Sequence, residues 1–166
     1  MLTGPKTSAM KPMDPARLAR LLRGQRWACL GTQDKEQPYV SWVAFVAEAD
    51  FSGLVMHLSR LAKHTRNLEA EPLVSLALSE SDDGQGDPQQ LARLTLQGRV
   101  AAIARDDDCY EQLKALYLAR LPDAEMMFQF SDFSLYRFIP ESGRYVEGFA
   151  SSHAINAEKL RAASEV

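Results

Sequence analysis

The run from Met56 to Leu68 gathers the residues of this chain best suited to chemistry: His57, Ser59, Arg60, Lys63, His64, Thr65 and Arg66. It falls where a β-like stretch hands over to a helix-like one. A helix beginning near Ala62 leaves its first backbone N–H groups unpaired and carrying partial positive charge. Lys63, His64 and Thr65 stand in that first turn, where carboxylates are the usual preference, so the cations oppose the helix dipole. Two readings follow. A bound anion removes the conflict, or Arg60, Lys63 and Arg66 form an ordinary solvated face.

The other candidates are scattered. Arg93 opens an otherwise apolar stretch, and a guanidinium in that position wants an anionic or carbonyl partner. Trp42 lies in a strand-like segment and reads as core packing or as a ligand contact. His57 reads as a packed or ligand-side histidine. His153 is in the polar sequence after the last strand-like segment, where a lone histidine is ordinarily exposed to solvent. Cys29 and Cys109 are the only two cysteines, have no partner at metal-ligand spacing, and read as reduced, buried thiols. Nothing supplies a nucleophilic triad, a paired-carboxylate site or a metal cluster.

The elements that must position these residues follow from pattern. Met1 to Pro12 is small, polar and proline-marked, as expected of a mobile tail. Asp14 can cap a helix with Pro15 at its first position and Leu18, Leu21 and Leu22 on one face, ended by Gly24. Trp27–Thr32 and Tyr39–Val46 read as a hairpin around Gln33–Gln37, with Ser41, Val43 and Phe45 on one face and Val40, Trp42, Ala44 and Val46 on the other, both covered. Leu54–Leu58 is a third strand, Ala62–Ala70 a short helix stopped by Pro72, and Leu73–Leu78 a fourth strand. Glu80–Gln90 is an acidic surface loop. Ala92–Arg105 is a long strand bent at Gly98. Asp106–Leu121 is a helix whose stripe is Cys109, Leu113, Leu116 and Tyr117. Leu135–Ile139 and Tyr145–Phe149 form a last hairpin around Pro140–Gly143, followed by a partly helical C-terminal segment. Short loops between strands favour antiparallel pairing, so the expected fold is mainly β with helices outside, an antiparallel barrel of six or seven strands.

At 166 residues and net charge −3, with pI near 5.6, the chain fits one ordinary globular domain and offers no global attraction for nucleic acid or an anionic membrane. No apolar run reaches membrane-spanning length and no signal-peptide core is evident, so a cytoplasmic location is expected by default.

Gln37-Pro38-Tyr39-Val40-Ser41, the run Leu58–Leu68, Pro72 before a strand, and Arg93–Arg99 together resemble the pyridoxamine-phosphate-oxidase-like FMN-binding split barrels. They are most similar to the subgroup related to haem-utilisation and haem-degrading proteins. The likeness covers about residues 14–150, leaving 1–13 as a tail and 151–166 as a C-terminal segment. It implies a split barrel, a homodimer, and FMN in a cleft between subunits. Carried over by position, it implies that His57 and Leu58 pass the flavin and that Lys63 and His64, with Ser59, Thr65 and Arg66, grip its phosphate. Ser41, Trp42 and Val43 would run beneath the ring, and Arg93 would touch it. Ala62 departs from the hydroxyl residue of the oxidases. The C-terminal sequence lacks the arginines with which those oxidases hold pyridoxamine phosphate. The implied function is therefore a flavin-dependent oxidoreductase acting on some other small molecule. Haem in the same cleft, with His153 as a loosely matched axial ligand, and a non-enzymatic flavin carrier are the alternatives.

Overall fold

A computed structural model describes residues 11–149 and 151–166; the expected tail over 1–13 falls mostly outside them. Helix α1, Pro15–Gly24, starts as its sequence requires, with Arg17 N donating to Asp14 Oδ1 at 3.1 Å and Leu18, Leu21 and Leu22 buried. Strands β1 (Trp27–Asp34) and β2 (Gln37–Ala44) meet at a two-residue turn in which Lys35 takes φ +58. The short β3 (Val46–Ala47) then pairs with β4 (Leu54–Ser59). Helix α2, Lys63–Ala70, leads to β5 (Leu73–Ser79), and β6 spans Arg93–Ile103. Helix α3 spans Tyr110–Arg120; Asp107 belongs to the turn before it, where its side chain accepts from Cys109 N. A 3-10 helix, Pro122–Gln129, runs on from α3.

With β7 spanning Phe133–Gly148 and β8 Ser151–Ile155, all strand pairs are antiparallel, in the order β2-β1-β5-β6-β7-β4-β3 with β8 added against β7. The sheet curls round one large core, built from both sides of the order by Leu30, Phe45, Met56, Leu76, Leu94 and Phe138. A second, smaller core beneath α3 holds Val55, Leu113, Tyr117, Phe128 and Leu135. This is the expected split β-barrel, with eight strands among the described residues rather than six or seven.

The sequence expectation of a hairpin at Pro140–Gly143 is overturned. β7 is one strand from Phe133 to Gly148, and it passes through that segment against β6. Proline and glycine mark a bulge here rather than a turn: the register shifts so that Gly98 faces Pro140 while Gln97 faces Ser142. A Cβ at Gly98 would run into the Ile139 carbonyl. The last hairpin is instead β7 with β8, Ser151–Ile155, and helix α4, Ala157–Ser164, follows with Leu160 and Ala163 in the main core.

Two burial expectations also fail. Only one face of β2 is covered: Val43 is buried, while Trp42 is 58% and Val40 60% exposed. Both cysteines are unpaired, but each is half-buried rather than buried. Leu61, which precedes α2, is 73% exposed.

Candidate functional site

A cavity of about 430 Å³ opens between the β2–β4 surface, the start of α2 and the wall formed by α3 and the 3-10 helix. Six of the candidates meet on it: Trp42, Val43, His57, Leu58, Ser59 and His64. Antiparallel β4 supplies three of them in sequence, and the tight turn Ser59–Ala62 brings His64 back over the same opening. Ser59 organises that turn. Its Oγ accepts from Leu61 N at 3.2 Å and donates to Asp132 Oδ2 at 2.6 Å, while Ala62 N donates to Ser59 O.

His64 and Ser41 share a hydrogen bond, Nδ1 to Oγ at 3.0 Å, so Ser41 acts on the cavity through the imidazole. Burial lowers the His64 pKa below its ordinary value and favours the neutral ring. His57 lies with its ring flat on Phe128, centroids 3.7 Å apart, and is also held to about 4 by burial, with Arg105 adding to the effect. Two neutral imidazoles therefore share a mostly apolar cavity.

The remaining candidate residues are engaged elsewhere. Lys63 Nζ pairs with Asp34 Oδ2 at 2.7 Å and lies over the Tyr39 ring. Arg66 donates to Leu61 O at 2.7 Å. Thr65 is fully buried behind the helix, its hydroxyl without a partner among the described residues. Arg93 donates to Gln89 O at 3.1 Å and lines a neighbouring cleft that shares Trp27 and Trp42 with the main cavity. Its carbonyl partner is of the kind its sequence position called for.

His153 is not in an exposed tail. It is buried on β8, its Nε2 3.1 Å from Ser151 Oγ and 4.0 Å from Glu147 Oε2, and it does not line the cavity. Glu147 in turn accepts from Asp14 N, and Arg17 donates to Glu147 O, so this polar cluster fastens the hairpin to α1.

The cavity wall from Leu121 to Met127, with Arg26, Trp27 and Tyr117, was not singled out from sequence. The signal available was the aromatic and methionine-rich run after Pro122, Met126-Met127-Phe128 and Phe130, which has no helical or strand period. Trp27 and Trp42 stack in parallel, centroids 6.1 Å apart, on the uncovered face beside the opening.

The chain matches the family model described as pyridoxamine 5'-phosphate oxidase over residues 15–147. It is similar to the heme oxygenase HutZ of Vibrio cholerae, 30% identical over 133 residues, with 79% of this chain and 74% of that protein covered. It is 31% identical over 151 residues to the chloroplastic non-canonical heme oxygenase HOZ of Arabidopsis thaliana, covering 89% of this chain but 44% of that protein, so it spans less than half of that relative. A solved heme binding protein from Mycobacterium smegmatis superposes with TM-score 0.79 at 26% identity, covering 93% of this chain and 62% of that one.

Proposed function

The chain belongs to the pyridoxamine 5'-phosphate oxidase family, and from that premise we propose that it is a haem-binding protein whose reaction class is haem degradation. The observation that carries this reading is His64. Its Nδ1 is tied to Ser41 Oγ, and its Nε2, with no partner among the described residues, belongs to a ring on the wall of a mostly apolar cavity. A neutral imidazole with one nitrogen oriented by a hydroxyl and the other free is a good iron ligand, since the outer hydrogen bond fixes tautomer and ring orientation. The named haem oxygenases and haem-binding protein among the relatives favour the same ligand.

The donor set fits FMN less well. A phosphate dianion needs free charge-assisted donors, yet Lys63 faces Asp34, Arg66 turns back to Leu61 O and Thr65 is buried. When bound, haem supplies an iron centre able to bind dioxygen. His64 would hold the iron, Ser41 would orient His64, and Leu58, Val43 and Tyr117 would exclude water from one side of the ring.

A cavity of about 430 Å³ is small for a complete macrocycle, and its open side is the face carrying Trp27 and Trp42. A second copy packed on that face would complete the site, so a homodimer is part of the proposal, as is a cytoplasmic setting compatible with two free thiols.

A second reading keeps FMN in the same cavity, as cofactor of an oxidoreductase acting on a small molecule. It is favoured by the start of α2, which has no acidic residue in its first turn to occupy the exposed amides. One experiment separates the two. The purified protein is titrated in turn with haemin and with FMN while its visible spectrum is recorded, and the haem complex is then given a reductant in air. A stoichiometric Soret band that decays on reduction supports haem degradation. Saturable FMN binding with no haem complex sinks it.

A further inference from the structure

His57 lines the cavity, and the haem reading gives it no task. Its ring is clamped: flat on Phe128, edge-on to Tyr117 with centroids 6.0 Å apart, and tilted against Phe133 at 5.2 Å. The residue is 8% exposed, and its Nδ1 is fully buried without a partner among the described residues. The ring also lines the cavity, so Nε2 is the nitrogen that reaches the opening.

A neutral imidazole has one N–H and one lone pair to place. An N–H stranded among Phe128, Tyr117 and Phe133 would have nothing to donate to, and orphaned buried donors are rarer in proteins than orphaned acceptors. The lone pair therefore belongs on buried Nδ1 and the proton on Nε2. We propose that His57 is a fixed hydrogen-bond donor, its Nε2–H directed into the cavity to hold an acceptor atom of the bound molecule.

Burial keeps the ring from acquiring a second proton, and Arg105 acts in the same direction. His57 is then the counterpart of His64. One imidazole presents a lone pair to the cavity and the other presents a proton.

The tautomer is independent of what the cavity binds; the acceptor rests on the haem reading. Long-range proton–nitrogen correlation spectra of the ligand-free protein at neutral pH are expected to report the Nε2–H form for His57, whereas an Nδ1–H form overturns the proposal. Zinc protoporphyrin, a diamagnetic haem analogue, is then added. The His57 N–H is expected to exchange with water at least tenfold more slowly in the complex. H57L is expected to bind the analogue three- to tenfold more weakly and H57Q, which keeps a donor, within about twofold of wild type. Unchanged exchange together with unchanged H57L affinity overturns the ligand contact. If H57L does not fold, the exchange measurement on the wild-type protein decides. If the analogue does not bind at all, the haem reading fails and the donor's partner with it, while the tautomer is still decided by the ligand-free spectra.

Discussion

The Ser41 hydroxyl on β2 and the His64 imidazole on α2, a ring on the cavity wall, share one hydrogen bond of 3.0 Å. Residues far apart in sequence thereby become a single unit. Its consequence is a test that separates the two cofactor readings. With iron on Nε2, Nδ1–H donates to Ser41 Oγ, and loss of such an outer partner weakens metal binding by roughly tenfold or more. Ser41→Ala is expected to show that loss in a haemin titration, and His64→Ala a larger one. Lys63→Ala is expected to change haemin affinity by less than about twofold, because its exposed pair with Asp34 contributes little. A Lys63→Ala loss in FMN affinity with haemin binding intact in all three variants would move the assignment to flavin.

A second prediction concerns acid. His57 is held to about 4 against an ordinary 6.5, so the unfolded chain takes up a proton that the folded one refuses. Stability from this group is fully present above pH 6.5 and falls as pH drops toward 4, by up to about 3 kcal/mol over the whole window. His64, also lowered, acts with the same sign. Thermal unfolding of the ligand-free protein between pH 7 and 5 is expected to lose stability, and His57→Phe is expected to lose less over the same interval. Parallel curves for the two proteins would remove His57 as the cause.

Much of this architecture is legible in the sequence. The Asp14 cap, the α1 stripe, β4, α2 and the bend at Gly98 follow from local rules, because capping, strand alternation and glycine placement are decided within a few residues. The Pro140–Gly143 segment misled for the same reason. Its composition is that of a turn, and only the opposing strand, which has Gly98 at the matching position, makes it a bulge. The site was half legible. Residue types singled out His57, Ser59 and His64, which line the cavity, but the diversion of Lys63 to Asp34 and Arg66 to Leu61 depends on side-chain directions that no spacing reveals. The wall from Leu121 to Met127 escaped because a 3-10 helix has no strong hydrophobic period.

The uncovered sheet face yields a third prediction. Trp27 and Trp42 are 53% and 58% exposed, and with Val40 and Leu73 beside them they form an apolar surface of the kind that marks an interface. Light scattering is expected to give a dimer for the wild type. Trp42→Glu places a charge at the centre of that face and is expected to give a monomer whose unfolding temperature in isolation is little changed, since the side chain it removes is not in the core. A wild-type monomer, or a Trp42→Glu dimer, would detach the proposed site from any second subunit.

The fourth prediction follows from the bulge. Gly98 is opposite Pro140 at the register shift between β6 and β7, and a Cβ there would collide with the Ile139 carbonyl, which is backbone and cannot swing aside. Gly98→Ala must push β6 and β7 apart at the point where the sixteen-residue strand bends, at a cost of about 1–3 kcal/mol or more. Chemical denaturation is expected to show this as a lower midpoint with an unchanged slope. Gly84, whose φ is +76 but which has open space around it, is the control: Gly84→Ala strains only the local backbone of an exposed loop and is expected to cost about 1 kcal/mol. The contrast isolates strand crowding from backbone strain. If both substitutions cost the same, the close approach at Gly98 is not what shapes this strand, and the bend must be set by Pro140 alone.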